Sequence, residues 1–415
     1  MLSFDRNFAF ESSAAQHTIM ENAFAVLQEE HKSGKIGYYE LPTASRALLD
    51  AIDPALLDDT AITDIAVVGI GGSSLGLKAI DSLLCGAREH TRKLHFFENS
   101  DPRTITATMA RLTREKTYFI IISKSGSTIE TTSIFKTLIA HFDLKLDGAD
   151  RHRVMTITDS GSSLDKFAAH YGLASFHIPL NVGGRFSILS AVGVVPLALA
   201  GYNVASILAG AQAFLERFWA RGEEHLLEKA CYFYEKSRAY SINVLFSYAD
   251  SLDNLTKWYV QLWGESLGKI DPFESHVGLT PIGIIGSVDQ HSFLQLLIEG
   301  PRDKTVTFIQ VEDFNNALTV PNITLPHIEK TDFINGKSFT TLINAQCDAT
   351  RQSLIQTGLS VDTIRWDSIS ESNIGATLIY FELLTSLVGA MLMVNTYDQP
   401  GVELGKTILN KTFQA

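Results

Sequence analysis

Six consecutive residues, Ser123-Lys124-Ser125-Gly126-Ser127-Thr128, bring four hydroxyls, one cation and one glycine together. They follow an apolar run, Tyr118-Phe119-Ile120-Ile121-Ile122, and precede a helix-like stretch at 131–142. A strand that ends in small donors and then opens a helix can hold an anion. Free backbone N–H groups and the positive helix end face the ligand, and hydroxyls complete its shell. One hydroxyl would serve as an ordinary helix cap; four with a lysine exceed that need and point to a phosphate-type guest. The GxxxxGK[ST] spacing is absent, so a nucleoside triphosphate is not expected.

Other segments carry residues that suit acid–base work. The turn Gly69-Ile70-Gly71-Gly72-Ser73-Ser74-Leu75-Gly76 approaches a dinucleotide fingerprint, with Glu98 ending the next strand, but Ser74 stands where the third glycine belongs. A simpler reading is that Gly71 and Gly72 let the backbone approach a ligand while Ser73 supplies a donor. In Asn181-Val182-Gly183-Gly184-Arg185-Phe186-Ser187 an arginine follows two glycines and enters an apolar element. If buried it needs a partner, either a carboxylate of the protein or negative charge developing in a reaction. Trp263-Gly264-Glu265-Ser266-Leu267-Gly268-Lys269 ends a striped helix. Glu265 there faces the negative end of the helix dipole, which favours proton uptake and suits a general base; the plain alternative is a solvated helix end. Ser287-Val288-Asp289-Gln290-His291-Ser292 is expected to start a helix, with Asp289 as cap and His291 in the first turn, where the positive dipole end favours neutral imidazole. No second histidine lies at ligand spacing, so no metal site is expected. In Tyr397-Asp398-Gln399-Pro400-Gly401-Val402-Glu403-Leu404-Gly405-Lys406, Glu403 and Lys406 can form a surface i, i+3 pair. That pair leaves Asp398, Gln399 and the glycines unexplained.

These residues need elements to position them. From about 64 to 180, strand-like runs alternate with helical ones: Ile65-Ala66-Val67-Val68, then 94–98, 118–122, 153–158 and 175–178, with Asp101-Pro102 opening a helix. A second series follows a helical region at about 205–240, with strands at 242–248, 282–285, 305–311 and 361–366 and helices at about 289–299, 338–357 and 372–394. Leu255, Trp258, Tyr259, Leu262 and Trp263 form a helical stripe. The fold class is α/β, with mainly parallel sheets covered on both faces. Two regions are expected, 1–205 (core about 60–200) and 206–415, packed closely because no Pro-rich linker divides them. Ligands of such sheets lie beyond the carboxyl ends of the strands.

Composition narrows the class. The 415 residues carry a net charge of −12, which argues against nucleic-acid binding and makes an anionic substrate depend on a local positive pocket. Cys85, Cys231 and Cys347 lie far apart with no CxxC pair, so neither disulfides nor zinc is expected, which fits a reducing cytosol. The N-terminus lacks an apolar signal core. The apolar stretch 188–208 is the one membrane-like candidate, and its Gly193, Pro196, Gly201 and Asn203 favour a buried core helix over a membrane span.

Taken together and in this order, the segments from about 60 to 410 resemble the phosphoglucose isomerase family in its compact bacterial type. Tyr397 through Lys406 meets the family's C-terminal signature at each constrained position, and Gly183-Gly184-Arg185-Phe186-Ser187 resembles the core of its other signature. Leu180 stands where a small or polar residue is usual, a departure expected to affect the loop alone. The resemblance implies two sugar-isomerase (SIS-type) three-layer α/β/α domains, a cytoplasmic homodimer, a sugar-phosphate substrate, no cofactor and no metal. It implies that Gly72, Ser73, Ser123, Ser125, Thr128 and Gln399 bind substrate, with Lys124 in the same loop. Glu265 would move a proton between C1 and C2 and Arg185 would stabilise the enediolate. His291, reaching across from the partner subunit, would assist ring opening, with Lys406 beside it. A non-catalytic sugar-phosphate sensor would keep the donors at 73 and 123–128 but would not need Glu265, Arg185, His291 and Lys406 together. Activity on mannose 6-phosphate stays open. The first 60 residues carry no motif.

Overall fold

Runs such as Tyr118-Phe119-Ile120-Ile121-Ile122 send apolar side chains to both faces of a strand, so they need cover on both sides. The computed structural model, which describes residues 2–10, 12–85 and 92–414, provides that cover. Its strands are β1 (Leu2–Asn7), β2 (Asp64–Val68), β3 (Lys93–Phe97), β4 (Thr117–Ile122), β5 (Val154–Thr158), β6 (Ala174–His177), β7 (Ile242–Tyr248), β8 (Lys269–Ile270), β9 (His276–Val277), β10 (Thr280–Ile285), β11 (Lys304–Asp313) and β12 (Ser360–Ser368). One sheet has the order β3-β2-β4-β5-β6 and is parallel throughout. The other has the order β1-β12-β11-β7-β10, parallel except for β1. The α/β class with mainly parallel sheets holds. Both sheets wind alike: a first strand, a second on one flank, then a third on the other.

The alternation of side chains divides the interior. Ile65, Val67, Ile120 and Ile122 of the first sheet and Leu245, Ile309 and Ile364 of the second meet in one central core. The helices Ala191–Ala200, Val204–Trp219, Asp253–Leu267 and Glu371–Met391 fill the space between the sheets. The opposite faces bury Ala66, Val68, Phe119 and Ile121 in one outer core and Val244, Phe246, Phe308 and Val361 in another. The stripe Leu255, Trp258, Tyr259, Leu262 and Trp263 is fully buried, as its spacing requires.

Some expectations change. Residues 188–208 do not form one helix: the first ends at Gly201, in a left-handed conformation, and Asn203 caps the second. Among the described residues, the helix long and apolar enough to cross a membrane is Glu371–Met391 rather than the expected stretch; it is almost wholly buried between the sheets. The expected helix at 289–299 is instead a 3-10 turn, Val288–His291, followed by the short helix Leu294–Glu299. Asp289 accepts the Ile285 N–H at 2.7 Å and the Ser292 hydroxyl at 2.6 Å, holding the turn to β10 rather than capping a helix. Residues 2–7, without a motif in sequence, add an antiparallel edge strand to the second sheet although they precede the first.

One buried ion pair ties the second sheet to its helical cover. Lys229, on the helix Glu224–Lys236, donates to Asp362 of β12 at 2.6 Å and to the Thr307 hydroxyl at 3.1 Å. Burial lowers the Lys229 pKa, and Asp362 opposes that shift. Replacing Asp362 by Ala strands a buried ammonium and is expected to cost about 3–5 kcal/mol in urea denaturation. Lys229→Met combined with Asp362→Leu should recover most of the loss.

Candidate active site

The chain leaves β2 for β3 on one flank and returns to β4 on the other, so a crevice opens between the carboxyl ends of β2 and β4. The 3-10 turn Gly71–Ser73 and the loop 123–128 rise on either side of it. The loop is fixed from below: the Ser123 N–H donates to the Ile157 carbonyl at 3.1 Å, and the Thr158 hydroxyl donates to the Ser123 carbonyl at 2.6 Å. Ser123 Oγ and Thr128 Oγ1 share a 2.9 Å hydrogen bond. Thr128 therefore makes no side-chain cap to the helix Ile129–Phe142, whose first N–H groups stay available to an anion. Ser125 is exposed, and Ser73 is part-buried. Lys124 departs from the expectation of a cation offered to the guest. Its ammonium donates to both oxygens of Asp159, at 2.9 and 2.7 Å, which cancels its charge locally. Glu98, the acid of the dinucleotide-like reading, pairs with Lys78 instead.

Across the crevice the second glycine turn meets the first. A Cβ on Gly72 would lie 2.2 Å from the Gly184 carbonyl oxygen, so only glycine permits the approach. The next residue, Arg185, is 2% exposed. Its Nε donates to Ser266 Oγ at 2.6 Å. Nη1 donates to Gln399 Oε1 at 2.7 Å and to Glu265 Oε2 at 3.4 Å, and Nη2 to the carbonyls of Thr396 at 2.5 Å and Asp398 at 3.0 Å. Burial lowers the guanidinium pKa, and Glu265 and Asp398 oppose the shift. Glu265 sits two residues from the end of the helix Asp253–Leu267, with its side chain one-third exposed at the crevice. Its other oxygen accepts from Gln261 Nε2 at 3.2 Å. A carboxylate steadied on both oxygens, open to a cleft and beside a fixed cation can take a proton while the cation faces developing negative charge. Both kinds of partner that Arg185 could take thus have a place: a protein carboxylate is present, at its longest contact.

Four contributors escape a reading of the sequence. Gln261 lies one helical turn before Glu265, and that i, i+4 spacing is the available signal. Ser266 and Lys269 stand in the segment around Glu265 without an expected role. The Lys269 ammonium donates to the carbonyls of Ser266, Asn395 and Asp398 at 3.2, 2.8 and 2.9 Å. Burial and the nearby Arg185 lower its pKa. Asp159 gives no signal at all. Gln399, expected at the substrate, spends its amide oxygen on Arg185.

His291 and Lys406 do not join this group within one chain. Gly283 of β10 lies against Thr256, and Gly264 against Pro281, so β10 runs from the Glu265 end of the Asp253–Leu267 helix toward its start. His291 follows the far end of β10 and is exposed. Thr256 and Glu265 are nine residues apart, roughly 13 Å of helix axis. Lys406, on the exposed helix Glu403–Gln414, donates to Glu403 at 2.7 Å in the surface pair that its spacing allows.

The sequence pattern of the family described as phosphoglucose isomerase matches residues 57–414. The chain belongs to the phosphoglucose isomerase family. It is 44% identical over 404 residues to the glucose-6-phosphate isomerase of Campylobacter jejuni, covering 97% of this chain and 98% of that one. Its fold matches, with a TM-score of 0.92 and 31% identity over the whole of both chains, a crystal structure of a Thermus thermophilus protein described as hypothetical. It also matches that of a glucose-6-phosphate isomerase from Chlamydia trachomatis, with a TM-score of 0.84 and 21% identity over all of this chain and 88% of that one, a likeness of fold.

In this chain the strip 396–399 that receives Arg185 is itself anchored by buried hydroxyls. The Tyr397 hydroxyl donates to Glu30 Oε2 at 2.6 Å and lies 3.1 Å from Ser386 Oγ, and Tyr39 donates to the same Glu30 oxygen at 2.9 Å. The N-terminal helix Ala14–Lys32 thereby reaches the site through Glu30. Burial raises the Glu30 pKa above 4.5, opposed by the two tyrosine hydrogen bonds. The folded carboxyl then binds more protons than the unfolded one between 4.5 and its raised value, so its contribution to stability is full below 4.5 and is lost as pH rises through that window. Glu30→Gln should remove this dependence: the difference in urea midpoint between wild type and variant, measured across a pH series, should fall as pH rises.

Proposed function

We infer that this chain interconverts glucose 6-phosphate and fructose 6-phosphate, the aldose–ketose step shared by glycolysis and gluconeogenesis. The observation that carries the reading is Arg185 held against Glu265 beside two glycine turns, in a chain that matches the family over residues 57–414. The substrate phosphate binds at the β2–β4 crevice, on the hydroxyls of Ser73, Ser123, Ser125 and Thr128 and the N–H groups that open the following helix. With that end anchored, the reacting carbons of the open-chain sugar lie over Glu265. Glu265 removes the proton from C2 of the aldose and the C1 carbonyl becomes the enediolate oxygen; the O2 proton then passes to O1, and Glu265 returns its proton to C1 as the ketone forms at C2. Arg185 holds a fixed positive charge beside the enediolate, and Gln261 steadies the base. General acid–base transfer typically supplies about a hundred- to ten-thousandfold in rate, and electrostatic stabilisation by a preorganised cation is of comparable size or larger.

Ring opening needs a separate acid and base, which we assign to His291 and Lys406. Within one chain His291 lies at the opposite end of the Asp253–Leu267 helix from Glu265, which supports its reaching a neighbouring site in a homodimer. The helix that carries Lys406 exposes Leu404 and Ile408, one turn apart on the same side, a face that an assembly would cover. A reducing cytoplasmic location agrees with three free cysteines, Cys85, Cys231 and Cys347.

Glu265→Gln is expected to fold, to bind fructose 6-phosphate and to lose about a thousandfold or more in kcat in a coupled assay; near-normal turnover would remove Glu265 as the base. Equimolar unfolding and refolding of Glu265→Gln with His291→Ala chains tests the shared site. Half of the resulting dimers are mixed and each holds one intact site, so about a quarter of wild-type activity should return. If each chain served only itself, none would.

A further inference from the structure

Beneath the loop 123–128, on the outer face of the first sheet, lies a cavity of about 250 Å³. The catalytic groups face the central core, whereas this cavity opens between the helices Ile129–Phe142 and Ser163–Tyr171. Its walls are apolar: Ile121, Phe135, Ile139, Leu164 and Phe167. Ser123, Thr132 and Ser163 add hydroxyls at the roof and rim, and one further polar atom is buried in the wall. Thr131 is 3% exposed, lines the cavity, and its hydroxyl has no hydrogen-bond partner among the described residues. A buried hydroxyl left unpaired in an apolar wall costs free energy that a ligand atom can return. At the mouth stands Lys136, exposed and basic. An apolar cavity of about 150 Å³ accepts benzene, so this one has room for a ring and a short tail.

We propose that the cavity binds a small aryl carboxylate, its ring against the edge-to-face Phe135–Phe167 pair, a polar atom on Thr131 and its acid group at Lys136. Occupancy is coupled to the anion loop above. Ser123 and Gly126 roof the cavity. Gly126 has φ +72, and a Cβ there would lie 2.7 Å from the Leu164 nitrogen and from Ser162 Oγ. The loop therefore rests on the start of the Ser163–Tyr171 helix, and a ligand that shifts this helix shifts the loop. This coupling, unlike the binding itself, rests on the reading of the loop as the phosphate site.

The probe is 3-phenylpropionate, titrated into the full-length protein by equilibrium dialysis. Saturable binding in the millimolar range is expected, as for a fragment-sized ligand. Thr131→Val, which keeps the shape and removes the hydroxyl, should weaken it about fivefold, and Lys136→Met by a similar factor. Leu164→Trp, which fills the cavity, should abolish it, with thermal unfolding reporting whether that variant folds. The bound ligand should change KM for fructose 6-phosphate about fivefold with kcat unaltered. Absence of saturable binding to wild type overturns the proposal. So does binding that Thr131→Val leaves unchanged, or that inorganic phosphate displaces competitively, which would place the probe in the crevice. Binding without any change in KM overturns the coupling. Binding with the expected variant pattern in a protein without isomerase activity would sink the isomerase reading and uphold the cavity site.

Discussion

The site is organised around one buried charge. A guanidinium almost fully withdrawn from water carries a desolvation cost of several kcal/mol, and burial duly lowers the Arg185 pKa. The fold offsets that cost by giving all five N–H donors an acceptor: Ser266 for Nε, Glu265 and Gln399 for Nη1, Thr396 and Asp398 for Nη2. No single segment supplies these. The end of the Asp253–Leu267 helix and the strip 396–399 must both close on residue 185. A lysine could not replace this planar, five-donor group. Lys269 draws on carbonyls of the same strip. Two cations are thereby held at one end of the crevice, each beside a carboxylate: Glu265 for Arg185 and Asp398 for Lys269.

Convergence of this kind depends on the shared core. With the Asp253–Leu267 and Glu371–Met391 helices buried between both sheets, the sheets cannot move apart without exposing that interior. The loop 123–128 is carried by the first sheet and Glu265 by a helix packed on β10 of the second. Contact is made by backbone rather than by long side chains: Gly72 touches Gly184, and Gly69 lies beside the Ile122 carbonyl just before the loop. The loop 123–128 and Glu265, the proposed phosphate and proton-transfer ends, are therefore joined through short, stiff links, which would suit a reaction whose rate depends on placing two carbons against one carboxylate.

The sequence made the parallel sheets legible because strands buried on both faces carry uninterrupted apolar runs that few other elements tolerate. The loop 123–128 was legible for the same reason, as hydroxyls at a strand's carboxyl end have few structural uses. Pairings across long separations were not. β1 is a short edge strand whose partner lies more than 350 residues away, so its local pattern could not announce it. The cancellation of Lys124 by Asp159 and the tie from Glu30 to Tyr397 likewise depend on tertiary neighbours. The helix expected at 289–299 failed because Asp289 satisfied the backbone of β10 first, and the first turn tightened to 3-10 geometry.

What one chain lacks follows from the same topology. Each sheet places its reactive turns at the carboxyl ends of its strands, but the Asp253–Leu267 helix separates His291 from Glu265 by most of its length. No rotation of a side chain crosses that distance. Lys406 lies on a helix that buries none of its described residues, and its ammonium is occupied by Glu403. Such a helix gains stability chiefly from packing its apolar face, and an exposed i, i+3 ion pair is weak enough to exchange for another partner. In the homodimer we propose, docking of the Leu404 and Ile408 face would hold the helix and its Lys406 in place, while the neighbour's His291 would complete ring opening. Assembly and ring-opening chemistry would then be one event, whereas the proton transfer we assign to Glu265, with Arg185 beside it, would need only contacts within the chain.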